Sequence, residues 1–93
     1  MDSRLINVGF GNFVAAERIL YVMTIESKSA KRTLADLRRH GGSLTDFTRG
    51  RKARSLIRLD NLEESGRDKI IASTLLPETI AKRIADKYSK KDA

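Results

Sequence analysis

Two short glycine-bearing segments hold most of the residues that could do chemistry in this chain. Gly9-Phe10-Gly11-Asn12 places two glycines around an aromatic, and Arg49-Gly50-Arg51-Lys52 places a glycine among cations. The first offers two glycines of a dinucleotide fingerprint, but Val14 stands where a third would fall and no βαβ unit follows, so that reading fails. The second lacks the spacing and the Lys-Ser/Thr ending of a phosphate loop, yet glycine beside cations still suits backbone approach to a phosphate. His40 is the sole histidine and has no metal-ligand spacing around it; near a helix C-terminus it reads as a capping charge. Glu63-Glu64 lie in a polar hairpin loop with nothing to desolvate them and read as solvating groups. The chain has no cysteine, which excludes disulfides, thiolate zinc sites and cysteine nucleophiles and suits a reducing compartment. No catalytic residue, metal or cofactor is expected, and phosphoryl transfer lacks the carboxylate cluster that would hold its metal.

What remains is charge. The 93 residues carry 19 Lys and Arg against 12 Asp and Glu, a net of +7. Residues 27–58 hold ten of those cations (Lys28, Lys31, Arg32, Arg38, Arg39, Arg49, Arg51, Lys52, Arg54, Arg58) against only Asp36 and Asp46, so the whole excess lies in the middle third. A folded surface ordinarily mixes both signs, and a block of one sign predicts a patch that faces an anion, nucleic acid above all. Aromatics are few, and none pair closely on a basic strand, which argues against base stacking of the kind used for single strands and RNA. Contact with a duplex backbone needs Arg and Lys without aromatics.

The elements that must position these groups follow from periodicity. A chain of this length predicts one domain, residues 1–88, with a basic frayed tail over 89–93. Residues 4–8 read as a strand, residues 9–12 as a turn, and residues 13–15 as a continuing strand. Residues 18–25 are apolar on both faces and predict a central strand. Ser27 or Ser29 can cap a helix running to about His40, with Gly41-Gly42 as its stop. Ala30, Leu34 and Leu37 form its core stripe, and Lys31, Arg32, Ala35, Arg38 and Arg39 fall on another face, either solvated or at a subunit seam. Residues 44–48 read as a strand or turn. Residues 53–59 alternate, placing Lys52, Arg54 and Arg58 on one strand face with Leu56. Residues 61–67 predict a hairpin loop, residues 69–76 a return strand, and Pro77 opens a final helix with Ile80, Ala81, Ile84, Ala85 and Tyr88 as its stripe. The fold class is therefore α+β: a small mixed or antiparallel sheet of about five strands, one central amphipathic helix and one C-terminal helix. Strands apolar on both faces need more cover than two helices supply, which suggests self-association. No secretory or membrane-spanning segment is recognised, so a cytoplasmic, nucleoid-associated protein is expected.

Several segments together resemble one family. Leu5-Ile-Asn-Val-Gly-Phe-Gly-Asn12, Arg18, Glu26-Ser27 with Lys31-Arg32, Asp46-Phe-Thr-Arg-Gly-Arg-Lys-Ala-Arg54 and Pro77-Glu-Thr-Ile-Ala-Lys-Arg83 are similar to the RemA family of extracellular matrix regulators, over nearly the whole chain. The resemblance implies a bacterial DNA-binding regulator linked to matrix and biofilm control, closed into an octamer-like ring with duplex DNA along a basic outer rim. It assigns DNA contact to Arg18 and to Gly50-Arg51-Lys52. Lys52 stands where an arginine is common; it keeps the phosphate charge without the bidentate fork.

The combined expectation is a non-enzymatic regulator binding double-stranded DNA through phosphate contacts from Arg18, Arg51, Lys52 and Arg54, with Arg49, Lys31 and Arg32 as secondary contacts. A single patch binds feebly, and a ring repeating it gains avidity along one duplex. No small-molecule substrate and no membrane partner are expected. The rival readings are an RNA-binding regulator and a structural adaptor whose basic face docks an acidic protein.

Overall fold

A computed structural model describes residues 4–60 and 68–89. The chain runs β1 (Leu5–Asn7), β2 (Phe13–Ala15), a turn of 3-10 helix (Ala16–Arg18), β3 (Ile19–Thr24), α1 (Lys28–His40), β4 (Gly42–Asp46), β5 (Ser55–Leu59), β6 (Asp68–Ser73) and α2 (Pro77–Ser89). The described residues form an α+β fold, with six strands in two sheets: the hairpin β1-β2, and a mixed sheet ordered β3-β5-β6-β4. Strand β4 runs parallel to β6, and the other pairings are antiparallel.

Alternation along the two inner strands decides which helix covers which face. Leu56 pairs with Ala72 and with Met23, and these side chains pack under Ala30 of α1, flanked by Leu34 and Leu37. One residue on, Ile57 pairs with Ile71 and with Val22, and these face the opposite layer, where Ile6, Val8, Val14 and Ile80 lie. Each fully buried Ile or Leu is worth roughly 1.5–3 kcal/mol. The cover that two helices could not supply comes from the β1-β2 hairpin, which shares the second face with α2. Arg83 of α2 locks the hairpin there by donating from Nη1 to the Asn7 carbonyl at 2.7 Å.

Four expectations need correction. Strand β3 lies at the sheet edge, because β5 and β6 take the inner places; Leu20 and Tyr21 are exposed. Its apolar composition serves both layers, with Met23 under α1 and Ile19 and Val22 against the opposite layer. Lys52 and Arg54 do not continue a cationic strand face: β5 begins at Ser55, and Leu56 on that face is buried beneath α1. Of the predicted α2 stripe only Ile80 is buried and Ile84 half-buried, whereas Ala81, Ala85 and Tyr88 face out. The helix also includes Ser89, which the sequence pattern assigns to the tail. The expected acidic hairpin over 61–67, with Glu63-Glu64, and the tail 90–93 lie outside the described residues.

The helix signals resolve as capping chemistry requires. Ser27, not Ser29, is the N-cap of α1: its hydroxyl accepts from Ala30 N at 3.0 Å. Gly41, with φ 82°, ends the helix, and its N–H donates to the Leu37 carbonyl at 2.9 Å.

Candidate nucleic-acid interface

Strand pairing gathers the chemistry at one end of the sheet. Thr24, Ser55 and Ser73 are in register, so β3 and β6 finish where β5 starts, and β4 finishes there too through the pairing of Asp46 with Ala72. The segment 47–54, the β1-β2 turn and the N-termini of α1 and α2 therefore share this end. Both helix dipoles direct their positive ends toward it.

The loop after β4 is built on an aspartate turn. Asp46 Oδ1 accepts from Thr48 N at 2.8 Å and from Thr48 Oγ1 at 2.5 Å, and Arg51 N donates back to the Thr48 carbonyl at 3.0 Å. The bonds from Thr48, that from its hydroxyl first, hold the Asp46 carboxyl below the usual aspartate range. Arg49 takes a left-handed conformation, φ 54°, and Gly50 follows at φ 80° with open space where a Cβ would stand. The loop rejoins the sheet as Arg54 N donates to the Ser73 carbonyl at 2.8 Å.

Against this loop stands the β1-β2 turn. Gly9 has φ 125°, a conformation closed to most L-residues, and its N–H donates to Asn7 Oδ1 at 2.8 Å. Asn12 Nδ2 donates to the Gly9 carbonyl at 2.9 Å. The turn is pinned to β6 by fully buried Ser73, whose Oγ donates to the Val8 carbonyl at 2.6 Å and accepts from Leu75 N at 3.0 Å. Phe10 projects from this turn, and the guanidinium carbons of Arg49 and Arg51 lie 5.3 and 5.8 Å from its ring centre. The two glycine-bearing segments, far apart in the chain, thus meet through one aromatic.

The other named residues divide. Lys52 and Arg54 are exposed beside the arginine pair, along a groove with Thr24, Ile25, Glu26 and Leu76. Lys31 and Arg32 are exposed on α1, and Arg32 lines a separate groove with Tyr21, Asp36 and Arg58. Arg18 lies at the opposite end of the sheet, about 20 Å along β3 at ~3.3 Å per residue. It is half-buried, its Nη2 donates to the Asp60 carbonyl at 3.2 Å, and its own carbonyl accepts from Asp60 N at 2.7 Å. The charge block of residues 27–58 is accordingly divided between two ends: Arg49, Arg51, Lys52 and Arg54 at one, Arg38, Arg39 and Arg58 toward the other. Sequence reasoning yields Phe10 as a turn residue only; its signal is an aromatic set between two glycines, and the pairing with arginines is tertiary.

Among the described residues no helix is long and apolar enough to cross a membrane. The family profile described as RemA-like, extracellular matrix regulatory protein A-like, matches residues 5–84. A Synechococcus sp. (strain JA-3-3Ab) protein named "Putative regulatory protein" is 45% identical over 83 residues, covering 89% of this chain and 85% of the relative. A protein of the same name from Desulforamulus reducens is 41% identical over 87 residues, covering 94% of this chain and 89% of the relative. One from Alkaliphilus metalliredigens is 40% identical over 92 residues, covering 99% and 91%. With the profile match spanning both glycine-bearing turns and the strands that join them, the chain belongs to the RemA-like family of regulatory proteins.

Proposed function

We propose that this protein is a non-enzymatic regulator that binds double-stranded DNA through the phosphate backbone, as a ring-shaped homo-oligomer of octamer-like size. The observation that carries the reading is the cationic end: Arg49 and Arg51 against Phe10, with Lys52 and Arg54 beside them and two helix N-termini behind. Backbone N–H groups and long cations without stacking aromatics on a strand suit phosphate contact rather than base readout.

The separation of Arg18 from the loop is consistent with assembly. A head-to-tail arrangement sets the Arg18 end of one copy against the loop of its neighbour, so a duplex following the rim meets Arg51, Lys52 and Arg54 of one subunit and Arg18 of the next. Arg18 is half-buried and already gives its Nη2 to the Asp60 carbonyl, which makes it the weaker contributor within a single copy. Lys31 and Arg32 take a secondary place, on the rim or at a seam.

The test is a salt titration of duplex affinity together with the native mass of the particle, alone and with a duplex. The expected result is an oligomer whose log affinity falls linearly with log salt, with a slope of about −0.9 per phosphate neutralised. A strictly monomeric particle would remove the ring, and an affinity flat in salt would remove phosphate tracking. Preference for single-stranded RNA in competition would instead favour an RNA regulator, and retention of an acidic protein after nuclease treatment would favour an adaptor.

A further inference from the structure

The aromatic between the two glycines of the first turn has little part in the core. Phe10 is 40% exposed and belongs to neither buried cluster. It sits at φ 52°, a left-handed conformation that a bulky residue keeps only where its surroundings impose it. Here they do so through the Asn7, Asn12 and Ser73 bonds around Gly9 and Val8. Opposite stands Arg49, left-handed as well, and beside it Arg51, both with their guanidinium groups over the ring.

We infer that Phe10 is a positioning residue, whose ring holds Arg49 and Arg51 together before the polyanion arrives. The inference rests on the duplex-binding reading of this loop. A guanidinium lying over a ring is held by its flat face and keeps its in-plane N–H donors for phosphate oxygens. Long arginine side chains otherwise lose much rotamer freedom on capture by a phosphate, and prior ordering lowers that cost. An aliphatic of similar bulk would satisfy the fold at this exposed place; only an aromatic face attracts two cations.

The experiment compares wild type with Phe10→Leu, Phe10→Tyr and Tyr88→Leu, the last removing a ring under a different arginine, Arg4. Arginine-selective labelling first reads the ring-current displacement of Arg49 and Arg51 side-chain protons in the unmodified protein without DNA. Upfield displacement in wild type, its loss in Phe10→Leu and its return in Phe10→Tyr are expected. Duplex affinity at fixed salt should then fall roughly 3- to 10-fold in Phe10→Leu, recover in Phe10→Tyr and hold in Tyr88→Leu. The salt slope should stay at its wild-type value in Phe10→Leu, because no phosphate contact is removed. Absence of displacement in wild type overturns the inference, and this readout needs no variant to fold. Unchanged affinity in Phe10→Leu, or equal weakening in Tyr88→Leu, overturns it as well. If wild type binds no duplex at all, the DNA reading fails, and the ring-current result alone decides whether Phe10 orders the pair.

Discussion

The two ends of the mixed sheet both carry arginines, yet they hold them differently. At the end formed by the finish of β3 and β6, Arg49 and Arg51 extend from a loop tied by Asp46 and Thr48 and lean on Phe10, itself fixed through Ser73. At the other end Arg18 is half-buried and turned onto the Asp60 carbonyl, so its charge serves the joint between β3 and the end of β5. Between them Lys31 and Arg32 of α1 lie on an exposed helical face. Equal charge is therefore not equal readiness to bind: side chains already ordered and outward-facing lose less on capture than solvated ones, and present more of their donors than a half-buried one.

This contrast is tested most directly at the loop. Replacing Arg51 and Lys52 together by alanine is expected to weaken duplex binding roughly 10- to 100-fold at moderate salt and to reduce the salt slope by about two, whatever the sequence. The matching Lys31→Ala and Arg32→Ala pair should cost less than about 3-fold. Equal losses in the two pairs, measured by fluorescence anisotropy, would erase the distinction between ordered and solvated cations.

The anchoring of the loop end is probed by Ser73→Ala, which removes the donor to the Val8 carbonyl and the acceptor for Leu75 N. Thermal or denaturant unfolding should register a loss of about 2 kcal/mol, since a buried carbonyl loses its partner. Ser27→Ala, which uncaps α1, should cost about 1 kcal/mol by the same measurement and leave the loop-dependent part of duplex binding in place. The smallest effect belongs to pH. Because Asp46 is held below its ordinary value of 3.8, its contribution to the loop is present above that value and lost as pH falls through the lower native one. The Thr48 amide resonance should therefore shift with a midpoint below 3.8, and a midpoint at or above it would deny the aspartate turn.

Much of the local structure is legible in the residues. The Ala30, Leu34, Leu37 stripe, the serine cap and the Gly41 stop specify α1, and Pro77 opens α2, because helical spacing and capping are properties of neighbouring residues. The place of β3 is not legible, for an equally physical reason: apolar residues on both faces are needed in an inner strand but are also tolerated at an edge, and pairing alone tells the two apart. The cations at 52, 54 and 58 share one face by alternation, yet alternation applies only once the strand has begun, at Ser55. Phe10 shows in the sequence only as an aromatic set between two glycines, since the arginines that it meets are distant in the chain.

Residue type and short-range spacing suffice for the α+β class, the Gly41 stop of α1, the Pro77 start of α2, the charge and the resemblance to the family. They do not suffice to split the cationic third between two ends, or to bring a turn of the N-terminal hairpin against the arginine loop. Strand order and packing cause these outcomes: with β5 and β6 inside and β4 parallel to β6, the arginine-bearing connection falls at one end of the sheet, and the Ser73 bond to Val8 holds the hairpin turn at that same end. Register, which no short stretch of residues encodes alone, converts a run of charge into a shaped surface.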